Sequence, residues 1–315
     1  MATLPFRASA RTAAEERVSA AADERTAASS LGAYAVQALL DEADLTPKPA
    51  LVDGRSNGAH ADLTLGLMHR SARALFPCFE AIAAASKGMV PGQRLRERLG
   101  AIGRAGETRM FAATGGVNSH KGAIWSLGLL VAGAAICFDR IDLFTIADTA
   151  GSIARYCDSQ VQPAPTHGAR VQQIYGTAGA RGEAQQGFPH VVRIGCPALL
   201  DARLRGVSEN CARLDALMAI MAELDDTCLL HRGGLPALHA AQHGARQVLR
   251  EGGTSTAQGW ARLLGLDAEL FQMNASPGGS ADLLAATLFL DSMTRNSGTQ
   301  RSAENWFGDV ELWRN

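Results

Sequence analysis

The feature that most constrains this chain is the stretch Thr114 to Leu130, TGGVNSHKGAIWSLGLL. A glycine-rich turn and a polar cluster there deliver an apolar run that continues to Phe138. Gly115 and Gly116 permit backbone angles closed to other residues. Asn118 or Ser119 is placed to cap a helix that begins at this point. The free N–H groups of a helix start suit an anion, and Lys121 adds a full positive charge. The stretch therefore reads either as a phosphate-handling helix start or as a capped core helix, and these residues alone leave both open. It is not a P-loop, because His120 precedes Lys121 and Gly122 follows it. No G-x-G-x-x-G occurs, so a Rossmann nucleotide site has no support.

The same apolar run decides between membrane and core. Gly122 to Phe138 is the only stretch that approaches a bilayer span, and it is short for one and diluted by glycine and alanine. A helix apolar all round suits the centre of a soluble bundle. Aromatics make up 5% of the 315 residues, and Ala, Leu and Gly dominate, which favours helix over strand. A formal charge of -1 gives no reason to expect nucleic acid or an anionic membrane. Six scattered cysteines without a C-x-x-C fit core positions in a reducing cytoplasm. The N-terminus has no continuous apolar segment of the kind a signal peptide needs. The expectation is an all-α protein, with a mobile arm over 1–27 and one large helical, bundle-like domain over 28–315.

Helical periodicity starts near Ala28 and runs to Ala43. Leu45 to Leu63, LTPKPALVDGRSNGAHADL, cannot remain helical through Pro47 and Pro49. It crowds Lys48, Asp53, Arg55, Asn57, His60 and Asp62 into one long polar loop. Such loops are commonly functional, and carboxylates in them can hold Mg²⁺ or act as a base. Asp62 can equally start the next helix. Spacing predicts one helix over Leu63 to Ser86, then a basic amphipathic helix over Gln93 to Ala105 whose charges face solvent. The apolar helix follows to Asp139, and another covers Asp142 to Cys157.

Pro163 to Pro189 is too glycine-rich for a long uninterrupted helix. In it Arg181 suits bidentate phosphate contact and Glu183 suits metal or base chemistry. A helix over Glu209 to Glu223 leads into DDTCLLHRGGLP, with Asp225 and Asp226 adjacent, then Arg232, and Pro236 where a helix can begin. His239 and His243 stand at i, i+4 but lack the Glu of the metalloprotease motif. Asn274 to Leu290 places Ser280 as a cap and Asp282 in the first turn of an apolar helix. A polar tail with Trp306 and Trp313 closes the chain.

Gly115-Gly116, Gly233-Gly234 and Gly278-Gly279 each precede an apolar helix. Three such corners, with Lys48, Arg55, Lys121, Arg181 and Arg232, can converge on one polyphosphate, and carboxylates among them can hold Mg²⁺.

The blocks PKPALVD with NGAHADL, TGGVNSHKGAIWSLGLL, GARGEAQQGFP, DDTCLLHRGG and SPGGSADLLA together resemble the triphosphoribosyl-dephospho-coenzyme A synthase family, from about residue 30 to 293. Ala50 stands where the family has Gly, which touches only the local turn. The resemblance implies an all-helical, ATP-dependent enzyme that joins ATP to 3'-dephospho-CoA and releases adenine. The product would be the prosthetic-group precursor for the acyl carrier protein of citrate lyase or malonate decarboxylase, with that carrier and its holo-transferase as indirect partners. Assembly as a homodimer is left open.

On this resemblance a ribose hydroxyl of dephospho-CoA attacks C1' of the ATP ribose. The expected phosphate contacts are Lys48, Arg55, Gly115, Gly116, Asn118, Ser119, Lys121, Arg181, Arg232, Gly278, Gly279 and Ser280. Glu183 is the first choice for base or metal ligand, Asp53 is placed near sugar or metal, and His120 can donate to adenine. Asp62, Asp225, Asp226 and Asp282 are the expected Mg²⁺ ligands. The rival readings are an ATP-dependent phosphotransferase or nucleotide hydrolase, and a non-enzymatic helical scaffold. Products separate them: adenine for the synthase, ADP or AMP for the rival enzymes, nothing for a scaffold.

Overall fold

The computed structural model describes residues 13–138, 142–160 and 167–296, and every regular element among them is helical. The first six helices are α1 (Ala13–Asp44), α2 (Leu65–Ala74), α3 (Phe76–Ser86), α4 (Gln93–Thr114), α5 (Lys121–Ile136) and α6 (Leu143–Ala154). Two short ones follow, α7 (His167–Tyr175) and α8 (Gly179–Gln185). One wide turn, Val191–Gly195, runs into α9 (Cys196–Leu204). The last four are α10 (Glu209–Glu223), α11 (Thr227–Arg250), α12 (Ala257–Gln272) and α13 (Gly278–Asn296). The all-α expectation holds.

α5 is the axis of the fold. From Ala123 to Ala135 every residue except Trp125 is buried. A helix with no polar face can satisfy itself only by being surrounded, and α1, α3, α4, α6, α8 and α13 pack around it. Its glycines serve this packing: a Cβ on Gly133 would collide with the Ile146 carbonyl of α6. Leu127 and Leu130 are fully buried, and cutting either to Ala would cost roughly 2–5 kcal/mol. No helix among the described residues is long and apolar enough to cross a membrane. α13 joins the two halves of the body, touching α1 and α5 on one side and α10 and α11 on the other. α11 and α12 pair beside it.

Several boundaries differ from expectation. α1 begins at Ala13, ahead of the boundary expected at residue 28. The helix expected over Leu63 to Ser86 is two, parted at Leu75. Pro77 lacks an N–H and clashes with the preceding turn, so it is tolerated only at the start of a new helix. Thr64, not Asp62, caps α2, its Oγ1 accepting from Leu67 N at 3.2 Å. α4 runs on to Thr114, well past Ala105. α5 ends at Ile136, and the expected end at Asp139 lies outside the described residues, as do Trp306 and Trp313. Inside α11 the chain breaks at Gly234, whose φ of 64° and ψ of -159° no helix contains, and Pro236 follows the break.

Candidate active site

The long loop after α1 is held by its own charged residues. Lys48 is 1% exposed, and its Nζ donates to both the carbonyl and Oε1 of Glu42 at 2.6 Å. Asp53, also buried, accepts from the Lys48 N–H at 3.0 Å, the Ser56 N–H at 3.1 Å, and the backbone and guanidinium of Arg55. Arg55 then reaches Asp267 at 2.8 Å. Ala50 adopts φ 52° at the turn between them, the left-handed region that glycine occupies without penalty. Arg232 closes the far end: it donates to the Ala59 carbonyl at 2.9 Å and lies 3.1 Å from His60 Nδ1. His60 Nε2 meets Ser276 Oγ at 2.9 Å. Burial, helped by the Arg232 charge, pushes the His60 pKa down to about 4. Asp62 is left mostly exposed, 3.9 Å from His60.

Against this loop stands the start of α5. Gly115 and Gly116, with φ of 67° and 93°, close α4 and turn the chain. Asn118 Oδ1 accepts from Lys121 N at 3.3 Å, giving the first turn one side-chain acceptor. Ser119 Oγ lies 2.6 Å from Ser71 Oγ, which lies 2.7 Å from His120 Nδ1. His120 is buried, and its Nε2 has no partner. Burial and the nearby Lys48 charge push its pKa down to about 3, so the ring is neutral. Lys121 itself turns outward to Glu107 at 3.1 Å.

The starts of α11 and α13 meet on one carboxylate. Asp226 Oδ1 accepts from the N–H groups of Cys228 at 2.8 Å, Leu229 at 3.4 Å and Gly279 at 3.2 Å. Its Oδ2 takes Ser280 N at 2.7 Å and Ser280 Oγ at 2.9 Å. The Gly278-Gly279-Ser280 corner is thus already filled by an internal anion. Asp282, one residue pair further on, packs against the α5 start so closely that a Cβ on Gly122 would strike its carboxylate. Burial, then the charges of Glu42 and Asp226, hold Asp282 well above the usual carboxylate range. No side chain among the described residues hydrogen-bonds it. Asp225, the neighbour of Asp226, is exposed.

Glu183 lies on α8, which packs against α5 and α6. It is buried, accepting from His190 N at 2.9 Å and pairing with His190 Nδ1 at 2.7 Å. Burial lowers the His190 pKa, but the hydrogen bond and charge of Glu183 outweigh it, with Asp225 adding, and the net shift is upward. α8 is tied to α5 by Trp125 Nε1, which donates to the Ala180 carbonyl at 3.1 Å.

Of the expected residues, the structure gathers Lys48, Ser119, His120, Asp226, Gly278, Gly279, Ser280 and Asp282 around the α5 start. Asp53, Arg55 and Arg232 are engaged in holding the loop. Arg181 lies apart, in a cleft between α4, α5 and α8. Among the described residues no three metal-ligating side chains come together, so the expected Mg²⁺ set is not a preformed cage. Glu42, Ser71 and His190 were not singled out from sequence. Glu42 and Ser71 lie on helix faces, and only the chain's return brings them to His120 and Lys48.

Residues 28–301 match the family described as ATP:dephospho-CoA triphosphoribosyl transferase. The chain belongs to this family. Its enzymes are transferases. A relative from Azotobacter vinelandii is 56% identical over 260 residues, covering 82% of this chain and 89% of its own length. One from Stutzerimonas stutzeri is 54% identical over 272 residues, covering 85% and 93%. Both are described as a probable 2-(5''-triphosphoribosyl)-3'-dephosphocoenzyme-A synthase. No solved structure matches the chain. The family match spans the loop, the α5 start, α8 and the Asp226 corner, which are all the parts assembled above.

Proposed function

We propose that the chain condenses ATP with 3'-dephospho-CoA to give 2'-(5''-triphosphoribosyl)-3'-dephospho-CoA and adenine. The observation that carries this reading is the partnerless Nε2 of buried His120 at the α5 start, with the Asp282 carboxyl packed against Gly122 of the same turn. Family membership and the relatives' names support it. A bond forms between the acceptor's 2'-oxygen and C1' of the ATP ribose, and the C1'–N9 bond to adenine breaks. The hydroxyl loses a proton and adenine gains one.

Asp282, whose carboxyl pKa is pushed upward by burial and by the charges of Glu42 and Asp226, is assigned to protonate the departing adenine, with His120 hydrogen-bonding the ring. A carboxyl held neutral also leaves the adjacent helix start open to an anion, and a triphosphate arriving there would raise the Asp282 pKa further. Glu183 with His190 is assigned to take the hydroxyl proton. Lys121 releases Glu107 for the triphosphate, since an exposed pair of this kind is held by ~1 kcal/mol or less. Magnesium bound with the triphosphate would offset its charge, and of the expected ligands Asp62 and Asp225 are exposed and would hold it. The product serves as the prosthetic-group precursor for the acyl carrier protein of malonate decarboxylase or citrate lyase.

Chromatography of the products tests this. Incubation with ATP and dephospho-CoA should release adenine in equal amount to the coupled product. ADP or AMP in place of adenine would redirect the chain to phosphoryl transfer or hydrolysis.

A further inference from the structure

The cleft between α4, α5 and α8 has no part in the chemistry above. It holds about 240 Å³. Its charges are out of balance. Arg96, Arg104 and Arg181 bring three guanidiniums to it, and two carboxylates, Glu107 and Asp158, face them. Glu107 pairs with Lys121 while no triphosphate is bound, so in that state Asp158 alone opposes three cations. Asp158 accepts from Arg104 at 2.7 Å and from Arg96 at 3.5 Å. Arg181 is exposed and has no acceptor among the described residues. The Arg96 side chain is 7% exposed, and its Nε has no partner. Burial lowers the Arg96 pKa, the Asp158 charge raises it, and Arg181 and Arg104 lower it again, so the net shift is downward.

Trp125 lines the same space with the Arg96 guanidinium 5.0 Å from its ring centroid. Concave sites of one charge concentrate the opposite one, and guanidiniums match phosphate oxygens two at a time. The volume is below the ~300 Å³ lower bound for a whole ligand, so the cleft fits one arm of a larger molecule. Its place selects which. Lys121, Trp125 and Gly128 share one stripe of α5, so the cleft begins about 6 Å along the helix from Lys121. The proposed reaction brings together two polyphosphate-bearing substrates, and the α5 start with its one lysine serves the first.

We propose that this cleft binds the diphosphate ester of the acceptor nucleotide, with Arg104 and Arg181 on the phosphate oxygens and Trp125 against the adjoining group. The assignment of the acceptor as dephospho-CoA rests on the reading above.

Calorimetric titration of dephospho-CoA into the full chain without ATP tests the cleft whether or not turnover occurs. Arg181→Gln should weaken that binding about 10-fold, and Arg181→Gln with Arg104→Gln about 100-fold, while ATP affinity stays within about twofold. Arg181 has no partner to leave unpaired, so the single variant should keep the wild-type thermal midpoint and decides the matter even if the double variant does not fold. Weakened ATP binding with intact dephospho-CoA binding would give the cleft to the donor. Unchanged binding of both, or no dephospho-CoA binding by the wild type, would make the cluster structural. A wild type that binds dephospho-CoA in the cleft yet releases no adenine would sink the proposed reaction and leave the cleft standing.

Discussion

The centre at the α5 start and the cleft beside it are built from the same residue types, yet they treat charge in opposite ways. At the centre almost every polar group is already answered by protein: Lys48 by Glu42, Asp53 by its own turn, Asp226 by five donors. There, His120 Nε2 is left without a partner, and no side chain among the described residues hydrogen-bonds Asp282. In the cleft anions are outnumbered: three guanidiniums face Asp158, which Arg104 and Arg96 already share, and Glu107, which Lys121 holds. A satisfied polar residue holds the fold, whereas an unsatisfied one waits for a ligand or a proton. The first region is therefore suited to chemistry on a few atoms and the second to holding a charged arm.

The contrast can be broken most directly at Asp282. Asp282→Asn should lower kcat by ~10²–10⁴ with acceptor binding unchanged. A loss of acceptor affinity with kcat intact would merge the two regions. Glu183→Gln keeps the size of the side chain and removes its charge; adenine release should fall by ~10² while the circular dichroism spectrum is retained. Near-normal turnover would remove Glu183 from the chemistry. Asp226→Ala strands four backbone N–H groups and should destabilise the fold by roughly 3 kcal/mol in urea titration. Wild-type stability with lost activity would instead make Asp226 part of the reacting centre.

The smallest effect is in pH. His60 and His120 have folded pKa values of about 4 and about 3, below the ordinary 6.5. The unfolded chain then binds more protons than the folded one below pH 6.5, so stability is full above that pH and falls as pH drops toward 4. The expected slope is ~1.4 kcal/mol per pH unit for each histidine, and His120→Gln should remove its share.

The class of the fold was legible because Ala and Leu at helical spacing leave little else to form. The central place of α5 was legible for the same reason. The split at Leu75 was not, since Pro77 reads equally as a break or as a first-turn residue. Residue types in the loop pointed to chemistry, but the donors that occupy Asp53 are its neighbours at positions 48, 55 and 56, and a turn folded on itself looks like a ligand set in one dimension. On α4, Arg94 and Arg98 face solvent as expected, whereas Arg96 is buried. Arg96, Gly100, Gly103, Arg104 and Glu107 follow helical spacing, a stripe that alternates charge with missing side chains and is consistent with a groove. Its counter-charge, Asp158, lies 62 residues beyond Arg96, and periodicity carries no information at that range.

Asp226 grips Ser280 across 54 residues, so the stretch that holds α11 and α12 starts and ends at the same side chain. Asp226 anchors both roots of that stretch, and Arg232 to the Ala59 carbonyl, Arg55 to Asp267 and Ser276 to His60 tie it to the loop after α1. Whatever loosens that anchor frees both roots at once, and Asp282, two positions past Ser280, shifts with them.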